Sequence, residues 1–341
     1  MAGLQHRDIV RKQRFMDFLP LMVTRVTPEL LIVAVAFPIA SYFGDYRAFI
    51  YLAIMAGMLQ LLLSYVYAER KFLLHWDTEY VKKIFIFGWP LTLNGCLMLV
   101  TLQGDKFIIS QYYSLTELGL FAIAFGLATV IPNTLGGIVS QISLPYLTKR
   151  KTDVPELKLT IIRIDHFVVI LAFLISFFML IYGEYFVELI YGQKYEGAVI
   201  LVMILSVVFS IRMIRQLPNV VAVMYSDTKS VLYSNVLRQI ALAIALIMAI
   251  QGAALEWIAV AGVCGELFAL VSIYFMNRKN VQMPITTWLK PFSLYFAGLV
   301  CVCVLVITFP VNDNILFFVG LSLFVLITSG VKLNQYRKHF S

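Results

Sequence analysis

The sequence predicts an all-α polytopic membrane protein with about ten transmembrane helices. The chain has 341 residues, of which 61% are hydrophobic and only 13% are charged, and its mean hydropathy is +0.86. Soluble domains carry roughly 25% charged residues, so this composition is typical of a chain that crosses a membrane several times. Apolar segments of spanning length also recur along the chain with only short breaks between them.

Ten apolar segments are each long enough to form a tilted spanning helix. In chain order they are residues 18–40, 46–67, 84–109, 117–145, 160–182, 198–225, 230–251, 256–276, 289–309 and 314–331.

Basic side chains concentrate in alternate connections between these segments. Most of the 27 Lys and Arg residues fall in residues 7–14, 70–83, 149–163, 229, 278–290 and 332–338. The opposite connections contribute only Lys194, with Arg47 just past a segment boundary. This asymmetry predicts that both termini are cytoplasmic. The net charge of +8 would then face anionic lipid, and we expect no nucleic-acid partner.

The short motifs of common enzyme classes are absent from the sequence. It contains no GxxxxGK[ST], HExxH, GxSxG or CxxC pattern. No outer connection is longer than about 15 residues, which leaves little room for a catalytic site there. The four cysteines lie inside apolar runs, and we interpret them as buried small hydrophobic residues rather than a disulfide framework or a zinc site. We therefore expect a protein that is not an enzyme and has neither metal nor cofactor.

Two arginines in the middle of one apolar segment are the main functional signal. Arg212 and Arg215 lie one helical turn apart within residues 198–225. A guanidinium near the bilayer centre costs ~2.5–3.5 kcal/mol, so the pair requires an explanation. Arginine presents a planar fork that binds phosphate bidentately, which suits a diphosphate headgroup. The structural alternative is an ion pair with a buried acid such as Glu266.

Other polar residues inside the segments extend this candidate substrate-binding site. Asn219 follows Pro218 and offers an amide to a sugar or to the backbone, while Pro218 is either a hinge or an ordinary membrane proline. Arg25 either faces the same cavity or is neutralised by Glu29 four residues later. Arg238 either lines the cavity or extends to the headgroups.

Four acids are candidates for coupling transport to a proton or a cation. A structural role is the simpler explanation for each of them. They are Glu29, Asp105, Asp165 and Glu266.

Two runs of sequence resemble one family of transporters. Residues 104–151, GDKFIISQYYSLTELGLFAIAFGLATVIPNTLGGIVSQISLPYLTKRK, resemble the junction between two spans of lipid-linked oligosaccharide flippases of the Wzx type. These flippases belong to the multidrug/oligosaccharidyl-lipid/polysaccharide exporter superfamily. Residues 190–245 resemble its later lipopolysaccharide-exporter pattern. The matching positions are Asp105, Glu117 to Leu120, Ala122 to Ala124, Pro145, Gly192, Tyr195, Arg215, Pro218, Asp227, Thr228, Asn235 and Arg238.

The resemblance implies parts of two helical bundles, because such transporters contain two bundles of six helices. Residues 1–83 would be a remnant of the N-terminal bundle with two spans. Residues 84–280 would form a complete six-helix bundle, and residues 281–341 would add two spans and a cytoplasmic tail. By this comparison about four N-terminal spans are missing.

The function that the resemblance implies is transport. The chain would flip an undecaprenyl-diphosphate-linked oligosaccharide across the bacterial inner membrane for polysaccharide or lipopolysaccharide biosynthesis. Its expected partners are that lipid-linked oligosaccharide, membrane lipids, and a polysaccharide polymerase with its chain-length machinery. The alternatives are a drug or cation exporter of the same superfamily and a membrane-embedded polysaccharide polymerase. A cation exporter would be expected to contain acidic residues inside the membrane, whereas a polymerase would be expected to contain a large outer loop.

Overall fold

The computed structural model describes residues 5, 6, 8–15, 17–45, 47–70, 77–308, 321 and 325. Within this part of the chain all regular elements are helical, which confirms the predicted all-α class. The α-helices are α1 (Asp8–Arg11), α2 (Leu19–Phe43), α3 (Arg47–Val66), α4 (Thr78–Tyr112), α5 (Leu115–Lys149), α6 (Val154–Tyr191), α7 (Val199–Met224), α8 (Thr228–Arg238), α9 (Ile240–Ile250), α10 (Leu255–Val281) and α11 (Ile285–Thr308). Short 3-10 helices cover Lys12–Phe15 and Gln193–Ala198.

Eight spans are long and apolar enough to cross a membrane among the described residues. They are α2 to α7, the broken helix formed by α8 and α9, and α10. Helix α11 contains a shorter apolar stretch, Pro291–Leu305. The predicted segment 314–331 lies outside the described residues except for positions 321 and 325. The chain is therefore a multi-pass membrane protein.

Several helices are longer than the apolar segments that predicted them. The segment 160–182, for example, lies within α6, which has 38 residues and begins after Asp153. The Asp153 side chain accepts a hydrogen bond from the Glu156 backbone N–H at 3.1 Å and so caps the first turn. Hydropathy marks only the part that crosses the hydrocarbon, whereas backbone hydrogen bonding continues into the polar residues beyond it.

The chain separates into two compact units, Met1–Val81 and Lys82–Ser341. The predicted division into a remnant, a six-helix bundle and two further spans stays a prediction. In the first unit, α2 and α3 pack against each other across a turn at Gly44, whose φ of 65° suits glycine. Most apolar side chains of this helix pair are exposed and are available to lipid or to other helices.

A group of ion pairs, here called the N-terminal clasp, joins the two ends of the first unit. It consists of Asp8, Arg11, Lys12 and Glu69. The Arg11 guanidinium lies 2.7 Å from Asp8 and 2.9 Å from Glu69, and the Lys12 ammonium lies 2.8 Å from Glu69. The Asp8 carboxylate also accepts the backbone N–H of Glu69 at 2.9 Å. The clasp thereby fixes α1 to the end of α3.

Helix α7 is the centre of the second unit. It packs against α5, α6 and α10, and most of its residues are buried. Helix α5 approaches it at Gly136, where an added Cβ would lie 3.2 Å from the Cγ of Gln216. Helix α11 packs on α6, and the Tyr295 hydroxyl lies 3.1 Å from the Ser176 hydroxyl.

Hydrogen bonds link the ends of neighbouring helices in the second unit, and they show which connections lie at the same end of that unit. Lys151 donates to the last carbonyl of α7 at 3.2 Å, and Lys158 donates to the carbonyl of Gln282, just after α10, at 3.0 Å. At the other end, the Tyr113 hydroxyl donates to the carbonyl of Ala253 at 2.7 Å. The basic connections after α5 and α10 therefore meet at the same end of this unit.

The four cysteines are exposed, so the prediction that they are buried is wrong. All four are free thiols on helix surfaces. An apolar side chain in a membrane span can face lipid, and therefore an apolar run does not imply burial within the protein. They are Cys96, Cys264, Cys301 and Cys303.

Candidate functional site

Three arginines and one glutamate meet inside the second unit. Arg212 and Arg215 come from α7, Arg238 is the last residue of α8, and Glu266 comes from α10. Their exposed fractions are 7%, 4%, 6% and 0%, respectively. All four lie well inside their spans, so the group, here called the arginine cluster, is at middle depth.

The Glu266 carboxylate is the centre of the arginine cluster. Its Oε1 lies 2.7 Å from the Nε of Arg212 and 2.7 Å from the Nε of Arg238. Its Oε2 lies 3.2 Å from the Nε of Arg215, without the alignment of a hydrogen bond. Glu266 thus forms the ion pairs that the structural alternative for Arg212 and Arg215 predicted.

One terminal amino group in the cluster, the Nη1 of Arg212, is available for another partner. Each arginine approaches Glu266 through its Nε. Arg215 donates from Nη1 to the Oδ1 of Asn235 at 2.6 Å, while the buried Nη1 of Arg212 has no hydrogen-bond partner among the described residues. A buried donor without a partner is costly, so this atom is well suited to a ligand oxygen.

The arginine cluster carries more positive charge than one glutamate can neutralise. Three guanidinium groups, which stay protonated in proteins, surround one carboxylate, giving a net charge of +2. Buried charges are expensive unless they are paired, and apolar packing of similar volume is often as stable as a buried ion pair. A purely structural role would be served at lower cost by one arginine. The excess charge would suit an anionic ligand.

A close approach between helices places Glu266 beside Arg238. The span formed by α8 and α9 breaks at Gln239, and α10 passes this break at Gly265. A Cβ at Gly265 would collide with the Cβ of Ala241 and would lie 2.8 Å from the carbonyl oxygen of Arg238. Only glycine permits this approach, which brings the next residue, Glu266, to the guanidinium of Arg238.

A narrow cavity borders the arginine cluster. Its lining includes Arg212, Arg238, Phe209 and Asp105, and the space open to a water molecule is about 20 Å³. This is enough for one water but not for a phosphate or a sugar. The Arg212 guanidinium lies 4.5 Å above the Phe209 ring, which holds it by a cation–π contact. Asp105 forms no ion pair within 4.0 Å in the described part of the chain.

A row of polar side chains, here called the amide seam, connects α4 to α8 and to the arginine cluster. It consists of Asn94, Thr101, Asn235 and Gln239. Asn235 donates to Asn94 while it accepts from Arg215, and Gln239 donates to the Thr101 hydroxyl at 2.9 Å. The other faces of α4 expose many large apolar residues. The amide seam is therefore the main polar attachment of α4 to α8.

Sequence reasoning missed the amide seam as part of the site. Asn235 is a position of the family resemblance, but it was not assigned to substrate binding. Asn235 could have been recognised from the sequence, because it is a polar residue in an apolar segment and precedes Arg238 by three positions. This spacing places both residues on the same helix face.

Two predicted site residues lie in the first unit. Arg25 and Glu29 are both exposed on α2. They form no ion pair within 4.0 Å among the described residues, and Glu29 instead accepts a hydrogen bond from Gln60 at 3.3 Å. Their predicted roles in binding or coupling stay predictions.

The remaining predicted residues lie on the helices that form the second unit. The Oδ1 of Asn219 is buried without a hydrogen-bond partner among the described residues, and Asn277 donates to the carbonyl of Pro218 at 2.7 Å. Asp165 on α6 accepts a hydrogen bond from the hydroxyl of Tyr274 on α10 at 3.1 Å. Arg238, for which a position near the headgroups was the alternative, instead points into the unit.

Comparison with known proteins now assigns the family. A family model described as "Polysaccharide biosynthesis protein" matches residues 1–200, more than half of the chain. The chain belongs to this family. The assignment confirms the resemblance to polysaccharide flippase-type proteins. Arg25, Glu29 and Asp105 lie within the matched residues, whereas the whole arginine cluster lies beyond them.

Two curated relatives are similar to the chain. The teichuronic acid biosynthesis protein TuaB of Bacillus subtilis (strain 168) is 20% identical over 195 residues, which are 52% of this chain and 40% of the relative. An uncharacterized membrane protein in the cps region of Klebsiella pneumoniae is 22% identical over 134 residues, which are 39% of this chain and 28% of the relative. The chain thus spans less than half the length of these relatives. No solved structure matches it.

Proposed function

We propose that this protein flips an undecaprenyl-diphosphate-linked oligosaccharide across the bacterial inner membrane, from the cytoplasmic to the outer leaflet. The observation that carries the proposal is the buried arginine cluster with its net charge of +2 in a multi-pass member of the polysaccharide biosynthesis protein family. The alternation of basic connections supports cytoplasmic termini.

The diphosphate would bind to terminal amino groups of Arg212, Arg215 and Arg238. Arginine forks match phosphate oxygens bidentately, and a site of low dielectric strengthens each contact. Phe209 and Asn235 hold two of the guanidinium groups in place beforehand. Asn219, one turn beyond Arg215 on α7, offers an amide to the sugar.

Binding of this ligand requires the site to open. The cavity of about 20 Å³ admits one water in the conformation described here. Helix α4 forms one wall of the cavity through Thr101 and Asp105. Movement of α4 away from α7 and α8 would break the amide seam and expose the arginines. Such a movement accords with transport by the rocking of helix groups around a fixed site.

The net charge of the cluster disfavours the drug or cation exporter. A cation entering this cavity would meet the guanidinium groups of Arg212 and Arg238 and the carboxylate of Asp105, beside a cluster whose net charge is +2. Like charges at close range in a medium of low dielectric repel strongly. The polymerase has less support as well, because the connections between the described helices are short.

The double substitution Arg212→Gln/Arg215→Gln tests the site. We expect lipid-linked repeat units to accumulate on the cytoplasmic face of the membrane, with transfer reduced at least about 100-fold, because two of three phosphate-binding forks are lost. The matched control is Arg150→Gln, which removes an arginine that pairs with Glu156 outside the cavity. Normal transfer by the double variant at normal abundance would contradict the assignment.

A deletion strain distinguishes the flippase from its alternatives. Loss of a flippase leaves complete repeat units on the cytoplasmic face, whereas loss of a polymerase leaves single units in the outer leaflet. Loss of a cation exporter leaves polysaccharide intact and raises the sensitivity of the cells to cationic compounds. Impermeant glycosidases or lectins, applied to intact cells and to inverted vesicles, report on which side the units lie.

A further inference from the structure

The single carboxylate in the arginine cluster has a role beyond holding it together. Glu266 is fully buried and contacts all three arginines, so removing its charge changes the whole cluster at once. No other carboxylate pairs with these arginines among the described residues. Asp105 lines the same cavity, but it lies beyond ion-pair distance.

The charge of the cluster matches one chemical class of phosphate ligand. A diphosphate that joins a lipid to a sugar has one ionised oxygen on each phosphorus and so carries a charge of about −2, whereas a monophosphate linkage carries about −1. The three arginines and Glu266 together carry +2. Without Glu266, a diphosphate would leave one buried guanidinium uncompensated.

The contact geometry allows Glu266 and a ligand to share the same arginines. Glu266 occupies the Nε side of each guanidinium, and the Nη atoms are the sites for the ligand. Arg212 borders the cavity, and its buried Nη1, which has no hydrogen-bond partner among the described residues, is one such site. Ligand and glutamate then bind opposite edges of one guanidinium, so the ligand need not displace Glu266.

We propose that Glu266 tunes the charge specificity of the site: by holding the cluster at +2 instead of +3, it matches the charge of a diphosphate and limits how strongly the site prefers diphosphate over monophosphate ligands. This inference rests on the proposed function, since it takes the arginine cluster as the phosphate-binding site. Glu266 is then a specificity-determining residue that acts through the arginines and does not itself contact the ligand.

Substitutions that change the cluster charge in both directions test the inference. Glu266→Gln raises the charge to +3, and Arg238→Gln lowers it to +1. The double variant Glu266→Gln/Arg238→Gln restores +2 without the carboxylate. If the charge sets specificity, the preference for diphosphate should rise in the first variant, fall in the second and return to the wild-type value in the double variant.

The experiment measures binding of a farnesyl-diphosphate-linked sugar and a farnesyl-monophosphate-linked sugar, whose linkages carry about −2 and −1, to the full chain in lipid nanodiscs. Farnesol, which has the same tail, reports binding by the tail alone. We expect the ratio of the two dissociation constants to change about tenfold for each unit of cluster charge, since a single charge contact in a site of low dielectric has this order of effect. Loss of packing alone would weaken both ligands alike and leave the ratio unchanged.

The outcomes separate the two proposals. If the wild-type protein binds both phosphates no better than farnesol, the phosphate site itself fails, and the inference fails with it. If the wild-type protein prefers the diphosphate and the ratio stays constant across the variants, the role of Glu266 is overturned while the phosphate site stands. The double variant differs from Arg238→Gln only in the carboxylate of Glu266, so the comparison of these two variants decides the matter even if Glu266→Gln alone does not fold.

Discussion

The N-terminal clasp and the arginine cluster are both groups of four charged side chains, but they differ in balance. The clasp pairs two basic with two acidic residues outside the spans, and its Glu69 side chain is 57% exposed. The arginine cluster places three arginines around one acid at the middle of the second unit, with each side chain at most 8% exposed. A balanced group needs no further partner, whereas an unbalanced buried group has charge left for a ligand.

The largest expected effect comes from removing one carboxylate from each group. Glu266→Gln should lower the free energy of unfolding by about 3–5 kcal/mol, because three buried guanidinium groups lose their counter-ion. Glu69→Gln should cost much less, since its ion pairs are partly exposed to solvent. Unfolding in detergent, followed by tryptophan fluorescence, measures both values. Equal losses would show that burial does not distinguish the two groups.

A backbone contact supports the arginine cluster, and Gly265→Ala tests how far the cluster depends on it. The added methyl group would meet Ala241 and the carbonyl of Arg238, so α10 must move away from α8. We expect a loss of about 1–3 kcal/mol, which is typical of overpacking. Transport should also fall, because Glu266 would move away from Arg238.

Gly88→Ala is the matched control for this substitution. Gly88 also lies within a helix, but an added Cβ there would have no atom within 4 Å beyond its chain neighbours and the nearby backbone of its own helix. Its replacement should be neutral or should stabilise the helix by up to about 1 kcal/mol, owing to the lower backbone entropy of the unfolded chain. If both substitutions have the same effect, the close approach at Gly265 does not position Glu266.

The sequence predicted those parts of the site that are visible along one helix. Arg212 and Arg215 were recognised because charges inside an apolar run are costly, and Glu266 was named as a partner for the same reason. The convergence of Arg238 on the same carboxylate was not predicted, because it depends on how α8 and α10 cross. The role of Gly265 was likewise hidden, since a glycine in an apolar run gives no sign of which helix approaches it.

The fold class and the eight described spans were predictable from hydropathy alone, whereas the burial of side chains was not. Lipid accepts apolar side chains as readily as a protein core does, and so the pattern of apolar residues does not distinguish α7, which is largely buried, from α4, which is largely exposed. The amide seam was missed for this reason. Asn94 and Asn235 each look like an isolated polar residue until α4 and α8 are placed side by side.

The smallest effect is expected at the clasp, where pH should act through Asp8. The hydrogen bond from Arg11, together with the backbone N–H groups of Glu69 and Arg70, lowers the pKa of Asp8 from 3.8 to about 2. Because the pKa is lower in the folded state, the stabilisation is complete above pH ~4, the pKa in the unfolded chain, and is lost as the pH falls towards 2. Asp8→Asn removes this contribution, so the difference in unfolding midpoint between the wild type and the variant should shrink between pH 4 and pH 2.

Arg11→Gln separates the effect of the clasp from general acid unfolding. It removes the largest cause of the lowered pKa, so the loss of stability on acidification, which still begins near pH 4, should be smaller and should end at a higher pH than in the wild type. The change should be modest and should weaken with added salt, because the clasp is partly exposed. A salt-independent loss of transport in Arg11→Gln would contradict the comparison, since it would show that a balanced surface group also contributes to the function assigned to the arginine cluster.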